Sequence, residues 1–263
     1  MVFRGVIKTF ATLGWTSLLL PLQLFALRTG GSLADRIPKI YHRGAARILG
    51  LQVTVRGEPS RAAPVLYVAN HASWLDIVAL GSVLEAGFVA KTEVASWPGF
   101  GLLAKLQRSV FINRDRHKTR SGINLVSEYM GQGRRLILFP EGTSNDGINL
   151  LPFRSSFFAV AEPLQSDSPV PVQPVSISYV RRARLPLVRS RMPAIAWYGD
   201  MTLLPHLWQM FCEGGHTEVV LEFHPEADFR QFSSRKALAR HCHDRVSSGL
   251  SRARQAVPSH PGS

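Results

Sequence analysis

Several short stretches of this chain are apolar without interruption, and they limit the fold more than any other feature. Val65-Leu66-Tyr67-Val68-Ala69 and Leu136-Ile137-Leu138-Phe139 show no alternation of polar with apolar side chains. A strand with one wet face alternates; a strand covered on both faces does not. Such runs recur between stretches with helical patterning. Strands are predicted at 51–56, 64–69, 88–90, 109–112, 135–139, 172–178, 194–198 and 219–223. Helices are predicted at 75–84, 101–106, 118–130, 153–161, 203–211 and 233–253. This order points to an α/β fold, a mostly parallel sheet flanked by helices. With 263 residues, 45% of them hydrophobic, the chain is long enough to bury one full core and is not of disordered type.

The first 50 residues differ from the rest. Between Lys8 and Arg28 lie 19 residues without a formal charge, close to the minimum for crossing a bilayer. Gly14, Pro21, Gln23 and several Thr and Ser weaken the stretch as a spanning helix. A second segment, 32–49, mixes apolar residues with Arg36, Lys39, His42, Arg43 and Arg47 and reads as a basic amphipathic helix of the headgroup region. The division expected is therefore membrane-anchoring helices over 1–50, a catalytic domain over 51–256 and a flexible tail over 257–263.

Lys and Arg number 31 against 18 acids, a net charge of +13. Such an excess favours an anionic lipid surface or a nucleic acid. A non-enzymatic basic protein binding either one is the rival class. No nucleic-acid-binding motif accompanies the charge, so no nucleic-acid partner is expected. Cys212 and Cys242 have neither CxxC nor zinc spacing, so no metal site is expected; a disulfide between them stays open.

Two features carry chemistry. Asn70-His71-Ala72-Ser73-Trp74-Leu75-Asp76 directly follows the apolar strand ending at Ala69. Four residues separate His71 from Asp76, which lets the carboxylate curl back onto the imidazole. A carboxylate on Nδ1–H fixes the tautomer and leaves Nε2 to take a proton. No Ser or Cys stands in a nucleophile elbow, so the pair suits direct attack by a substrate hydroxyl. Phe139-Pro140-Glu141-Gly142-Thr143 likewise follows an apolar strand, and amides near Gly142 and Thr143 are placed to meet an oxyanion or headgroup. The block 91–114 carries cations at Lys91, Lys105, Arg108 and Arg114; Arg114 ends its apolar strand, and an Arg there suits a phosphate or carboxylate.

NHASWLD, FINR, FPEGT and VPVQPVSI occur in an order and spacing that resemble the glycerolipid acyltransferases of the lysophosphatidate acyltransferase type, over about residues 51–223. The resemblance implies an α/β acyltransferase fold preceded by membrane-associating helices. It implies His71 as base and Asp76 as its partner. Arg114, Glu141, Gly142, Thr143, Lys91 and Arg154 would serve the acceptor site. It also implies O-acylation of a lysolipid, 1-acylglycerol-3-phosphate first, giving phosphatidic acid. The donor would be acyl-CoA or acyl-acyl carrier protein, with no bound cofactor, at the cytoplasmic face of a bacterial inner membrane. Arg108 and Asn113 stand where the family often has Gly and Asp, and Ser156 where it often has Gly. The stretch AWYGDMTLLPHLW also resembles a bacterial subgroup that includes lyso-ornithine lipid acyltransferases.

Overall fold

A computed structural model describes residues 1–113, 119–162 and 170–256, with the backbone alone for 119–121. Among the described residues, eight strands form one sheet: β1 (Leu51–Arg56), β2 (Val65–Ala69), β3 (Gly87–Lys91), β4 (Val110–Ile112), β5 (Arg135–Leu138), β6 (Val172–Arg182), β7 (Leu185–Pro186) and β8 (Thr217–Phe223). Their spatial order is β1-β8-β6-β2-β5-β3-β4, with β7 beside β6. From β6 through β2, β5 and β3 to β4 every pairing is parallel. β8 runs antiparallel to β6 and carries β1 parallel to itself, so the sheet is mixed, though mostly parallel.

β2 sits at the centre because it has nothing to offer water. Val65, Tyr67 and Ala69 face one core with Leu75, Leu80, Ile177 and Leu221. Leu66 and Val68 face a second with Met130, Leu136, Phe158 and Leu238. The period-2 geometry of a strand thus feeds both cores from one unbroken run. α3 (Leu75–Val83) and α2 (Leu33–Leu49) cover the first face. α5 (Thr119–Gly131) and α7 (Arg235–Gln255) cover the second. Truncating one of these fully buried leucines to Ala costs roughly 2–5 kcal/mol.

α1 (Val2–Thr29) is a single 28-residue helix that runs through Pro21. It lies antiparallel to α2. Trp15 Nε1 donates to the Tyr41 carbonyl at 3.0 Å, and Gln23 Nε2 donates to the carbonyls of Ala34 (2.9 Å) and Leu106 (2.7 Å). The Trp15 indole lies so close to α2 that a Cβ on Gly44 would stand 2.2 Å from it. Near its start, Gly5 rests on Trp208 and Cys212 of α6 (Leu203–Cys212). Thr9, Thr12 and Thr16 each donate back to the carbonyl four residues earlier. Thr9, Thr12, Thr16 and the Gln23 amide nitrogen are therefore bonded within the helix or to the domain, while Gln23 Oε1 is buried without a partner among the described residues. By length and composition α1 passes for a membrane span, with a mean hydropathy of 1.5 over its most apolar window.

Two expectations need correction, and one strand was not foreseen. Residues 194–198 form no strand: Arg189–Ala194 is a 3-10 turn containing Pro193, and the chain then returns toward α3. Proline has no N–H for a ladder. Residues 155–161 form a 3-10 helix rather than an α-helix, entered through Ser155 and Ser156, which are weak helix formers. β7 went unpredicted because its hairpin turns on Ala183 and Arg184 at φ 50° and 67°, without the Asn or Gly that usually marks such a turn. Both cysteines are free, and burial pushes the Cys242 thiol up to about 12.

Candidate active site

The polar residues collect outside the carboxyl ends of β2 and β5, where strands of an α/β sheet leave a crevice between diverging connections. Asn70 ends β2. Its side-chain amide continues the ladder onto β6, with Nδ2 donating to the Ile177 carbonyl (3.0 Å) and Oδ1 accepting from Ile177 N–H (2.8 Å). The strand therefore stops at a fixed point and His71 begins the loop. The loop's carbonyls are held as well: His71 O accepts from Asn145 N–H and Ala72 O from Trp197 N–H, both at 2.9 Å.

Asp76 sits in the first turn of α3 with 0% exposure. Its Oδ2 accepts from His71 Nδ1–H at 2.8 Å and from the backbone N–H groups of Ala72 (2.7 Å) and Ser73 (2.9 Å). Its Oδ1 accepts from the Tyr179 hydroxyl at 2.7 Å. A buried carboxylate needs this many donors to stay charged, and the helix N-terminus adds to them. With Nδ1 donating, Nε2 of His71 carries the lone pair. The imidazole is 16% exposed and stacks on the Phe139 ring at 4.0 Å between centroids and 13° between planes. It is thus fixed in tautomer by Asp76 and in plane by Phe139, with an edge left to solvent.

Glu141 is buried at 2% exposure just after β5. Oε1 accepts from His71 N–H at 2.7 Å, and Oε2 accepts from Leu151 N–H at 2.9 Å and from Asn145 Nδ2. Burial pushes its carboxyl up to about 7, against the opposing pull of those donors and of His71. Both oxygens are taken up by the protein, so Glu141 joins the loop after β5 to the loop that carries His71. Gly142, at φ 76°, lets the Arg154 side chain lie against the backbone: a Cβ there would stand 3.3 Å from Arg154 Nε. Thr143 and Arg154 are exposed, and Lys91 ends β3 half-buried. Arg114 lies outside the described residues.

The spacing of the sequence motifs thus brought His71 and Asp76 into contact and set Glu141 one hydrogen bond away. It gave no hint of Tyr179 or Asn145, and it placed Asn70 in the motif without showing its role. Nor did it reveal that Trp74 Nε1 donates to His206 Nδ1 at 3.0 Å, tying α6 to the start of α3.

Fold and site together define an α/β enzyme with a carboxylate-steered imidazole at the sheet's carboxyl edge. Residues 52–178 match the protein family described as Acyltransferase. The chain is 39% identical over 252 residues to a lyso-ornithine lipid O-acyltransferase of Rhizobium meliloti, a match spanning 92% of this chain and 86% of that one. It is 35% identical over 167 residues to a 1-acyl-sn-glycerol-3-phosphate acyltransferase of Neisseria meningitidis, spanning 63% and 61%. The crystal structure of the 1-acyl-sn-glycerophosphate (LPA) acyltransferase of Thermotoga maritima superposes with a TM-score of 0.64 over 95% of this chain and 97% of that one, at 21% identity, a likeness of fold. This chain belongs to the acyltransferase family and is related to both lyso-ornithine lipid and lysophosphatidate acyltransferases.

Proposed function

We propose that this chain is a membrane-associated O-acyltransferase that moves a fatty acyl group from an acyl thioester to the free hydroxyl of a lysolipid. The observation that carries the reading is the 2.8 Å contact between His71 Nδ1 and a wholly buried Asp76. Nε2 of His71 takes the hydroxyl proton as the oxygen attacks the thioester carbonyl. The tetrahedral intermediate then collapses, the C–S bond breaks, and the imidazolium returns the proton to the departing thiolate. Positioning supplies much of the rate, because attack is direct and no acyl-enzyme is needed. Acyl-CoA and acyl-acyl carrier protein are both suitable donors for a surface with a net charge of +13.

Gly142, Thr143, Arg154, Lys91 and Arg114 are the residues for the acceptor headgroup, on the ground of their motif positions. Glu141 serves by fixing the loop that carries His71. Two acceptors suit this chemistry. The order of the four motifs favours 1-acylglycerol-3-phosphate. The length of the match favours lyso-ornithine lipid, because similarity to the Rhizobium relative extends over 92% of the chain and to the Neisseria relative over 63%. We take lyso-ornithine lipid as the acceptor to test first.

For the membrane, α1 is the contact element. Phe3, Phe10 and Phe25 are 78%, 70% and 64% exposed. Because α1 is tied to the domain near its start, at Trp15 and at Gln23, the reading that keeps those ties is a helix lying in the interface with its apolar side in the acyl region. The basic residues of α2 then meet anionic headgroups on the cytoplasmic leaflet.

The test is an assay of the purified full chain in mixed vesicles. Labelled acyl-CoA and acyl-acyl carrier protein are offered against lyso-ornithine lipid, 1-acylglycerol-3-phosphate and lysophosphatidylcholine, and products are identified by mass spectrometry. A doubly acylated product that depends on His71 is expected. Failure to acylate any lysolipid with either donor rejects the function; product from 1-acylglycerol-3-phosphate alone rejects the ornithine acceptor.

A further inference from the structure

We propose that Tyr179 is a positioning residue of the acyl-transfer site, holding Asp76 so that Asp76 can hold His71. The inference rests on the reading of His71 as base and adds a third member to the pair, contributed by a strand 103 positions further along the chain.

The argument starts from what Asp76 must do. A carboxylate that steers an imidazole has to present one oxygen to Nδ1–H at a fixed angle. It has to remain charged although it has no contact with water. Oδ2 is oriented by three donors: His71 Nδ1–H and the amides of Ala72 and Ser73. Those amides belong to the same loop as His71, so they move with the loop and cannot by themselves register it against the sheet. Oδ1 is the oxygen that reaches outside the loop, and its donor is the Tyr179 hydroxyl at 2.7 Å. Tyr179 lies on β6, in the register Tyr179 to Val219 of β8, and is packed in the first core. The hydroxyl is therefore carried by a strand paired within the sheet and packed in the core. It is also a secure donor, because burial and the charge of Asp76 push it well above the usual tyrosine value.

Among the described residues, the titratable groups nearest this hydroxyl come from three elements. Asp76 comes from α3, His71 from the loop after β2 and, behind the His71 amide, Glu141 from the loop after β5. β8 sets Val219 opposite Tyr179, while its acids Glu218 and Glu222 are bound to Arg181 and Arg252. Removing the hydroxyl leaves one oxygen of a buried carboxylate without this donor. Its charge is then less dispersed and pulls harder on the proton at Nδ1. The carboxylate is also freer to turn, so the imidazole is less often aligned for attack.

The experiment is Tyr179→Phe, which fills the same space, assayed with acyl-CoA and lyso-ornithine lipid (or 1-acylglycerol-3-phosphate should that be the acceptor turned over). We expect kcat about 10-fold lower with KM within about twofold, and the acid limb of the kcat/KM profile moved upward by about half a pH unit or more. In an Asp76→Asn background the same change should cost nothing further, because Tyr179 acts only through the carboxylate. Val219→Ala, beside Tyr179 on β8, serves as the control for loosened packing with the hydroxyl kept; its acid limb should stay in place. The proposal is overturned by wild-type kcat and an unmoved limb in Tyr179→Phe, by an equal limb shift in Val219→Ala, or by full additivity with Asp76→Asn. An active His71→Ala would instead overturn the underlying reading, so the two failures are told apart.

Discussion

Between Asn70 and Asp76 the side chains that matter are bonded inside the protein, whereas along α1 many of the outward side chains are large and apolar. Asp76 accepts four hydrogen bonds while fully buried. Phe3, Phe10 and Phe25 stand in the open on a helix whose other side is sewn to α2 and α6. The first region is complete in itself, and its geometry does not depend on a partner. The second is complete only when something apolar covers it, since a contiguous exposed apolar surface of this length marks an interaction site. One region is built to be rigid and the other to be occupied, so changes in them should separate cleanly into rate and location.

The largest effect belongs to His71. His71→Ala should lower kcat by about 10⁴-fold while the thermal midpoint stays within a few degrees, since a half-buried ring at a loop is lost and no core residue is. A rate within tenfold of wild type, measured on purified protein, would remove the imidazole from the chemistry. Asp76→Asn comes next, at about 10³-fold in kcat, because the amide can present its NH₂ to Nδ1 and favour the wrong tautomer. Its stability should also fall, as amide N–H groups face the Ala72 and Ser73 donors. A variant that lost stability but kept its rate would reduce Asp76 to a scaffold for the loop.

The other side of the comparison is tested by charge. Phe10→Glu together with Phe25→Glu should weaken sedimentation with anionic vesicles by at least about 100-fold, on the basis of roughly 1.5–3 kcal/mol for each buried aromatic. Turnover of a short-chain, water-soluble lysolipid should stay within about twofold. If that soluble turnover fell in step with vesicle binding, the two regions would be coupled, and the bond from Trp74 to His206 of α6 would be the first place to look.

How much of this was legible beforehand follows from the range of each interaction. The His71–Asp76 contact was legible because both partners lie on one loop and helix turn, where spacing determines geometry. β2 and β5 were legible because strands wetted on neither face betray themselves by composition. Tyr179 was not, because its partner is 103 residues away and a tyrosine in a strand is ordinarily a packing residue. The antiparallel join of β6 to β8 was not, because strand direction leaves no mark on a short apolar run. The role of Glu141 was half legible: its motif placed it beside the site, but the amides that occupy it come from His71 and from Leu151, ten residues on. Pro21 and Gln23 read as flaws in an apolar span; Gln23 is in fact the helix's bond to two carbonyls of the domain.

Glu141 also gives the smallest and most diagnostic prediction, because two forces act on it in opposite directions. Burial favours its neutral form, while three donors and the nearby His71 favour the carboxylate. With burial prevailing, the folded state holds the proton up to about pH 7, whereas the unfolded chain releases it near the ordinary value of 4.5. A group whose folded value is raised contributes stability that is full below the unfolded value and is lost as pH rises through the folded one, here between about pH 4.5 and 7. The loss amounts to roughly 3 kcal/mol at most. Glu141→Gln cannot titrate. It should be less stable than wild type at pH 5, because its amide nitrogen faces N–H donors, and the gap in thermal midpoint should narrow by several degrees at pH 8. Calorimetry of both proteins across that range reads the difference directly, with the titration of every other group shared between them. A gap that widens with pH would mean that the amides of His71 and Leu151 outweigh burial, leaving Glu141 charged throughout and the loop that carries His71 held by an anion.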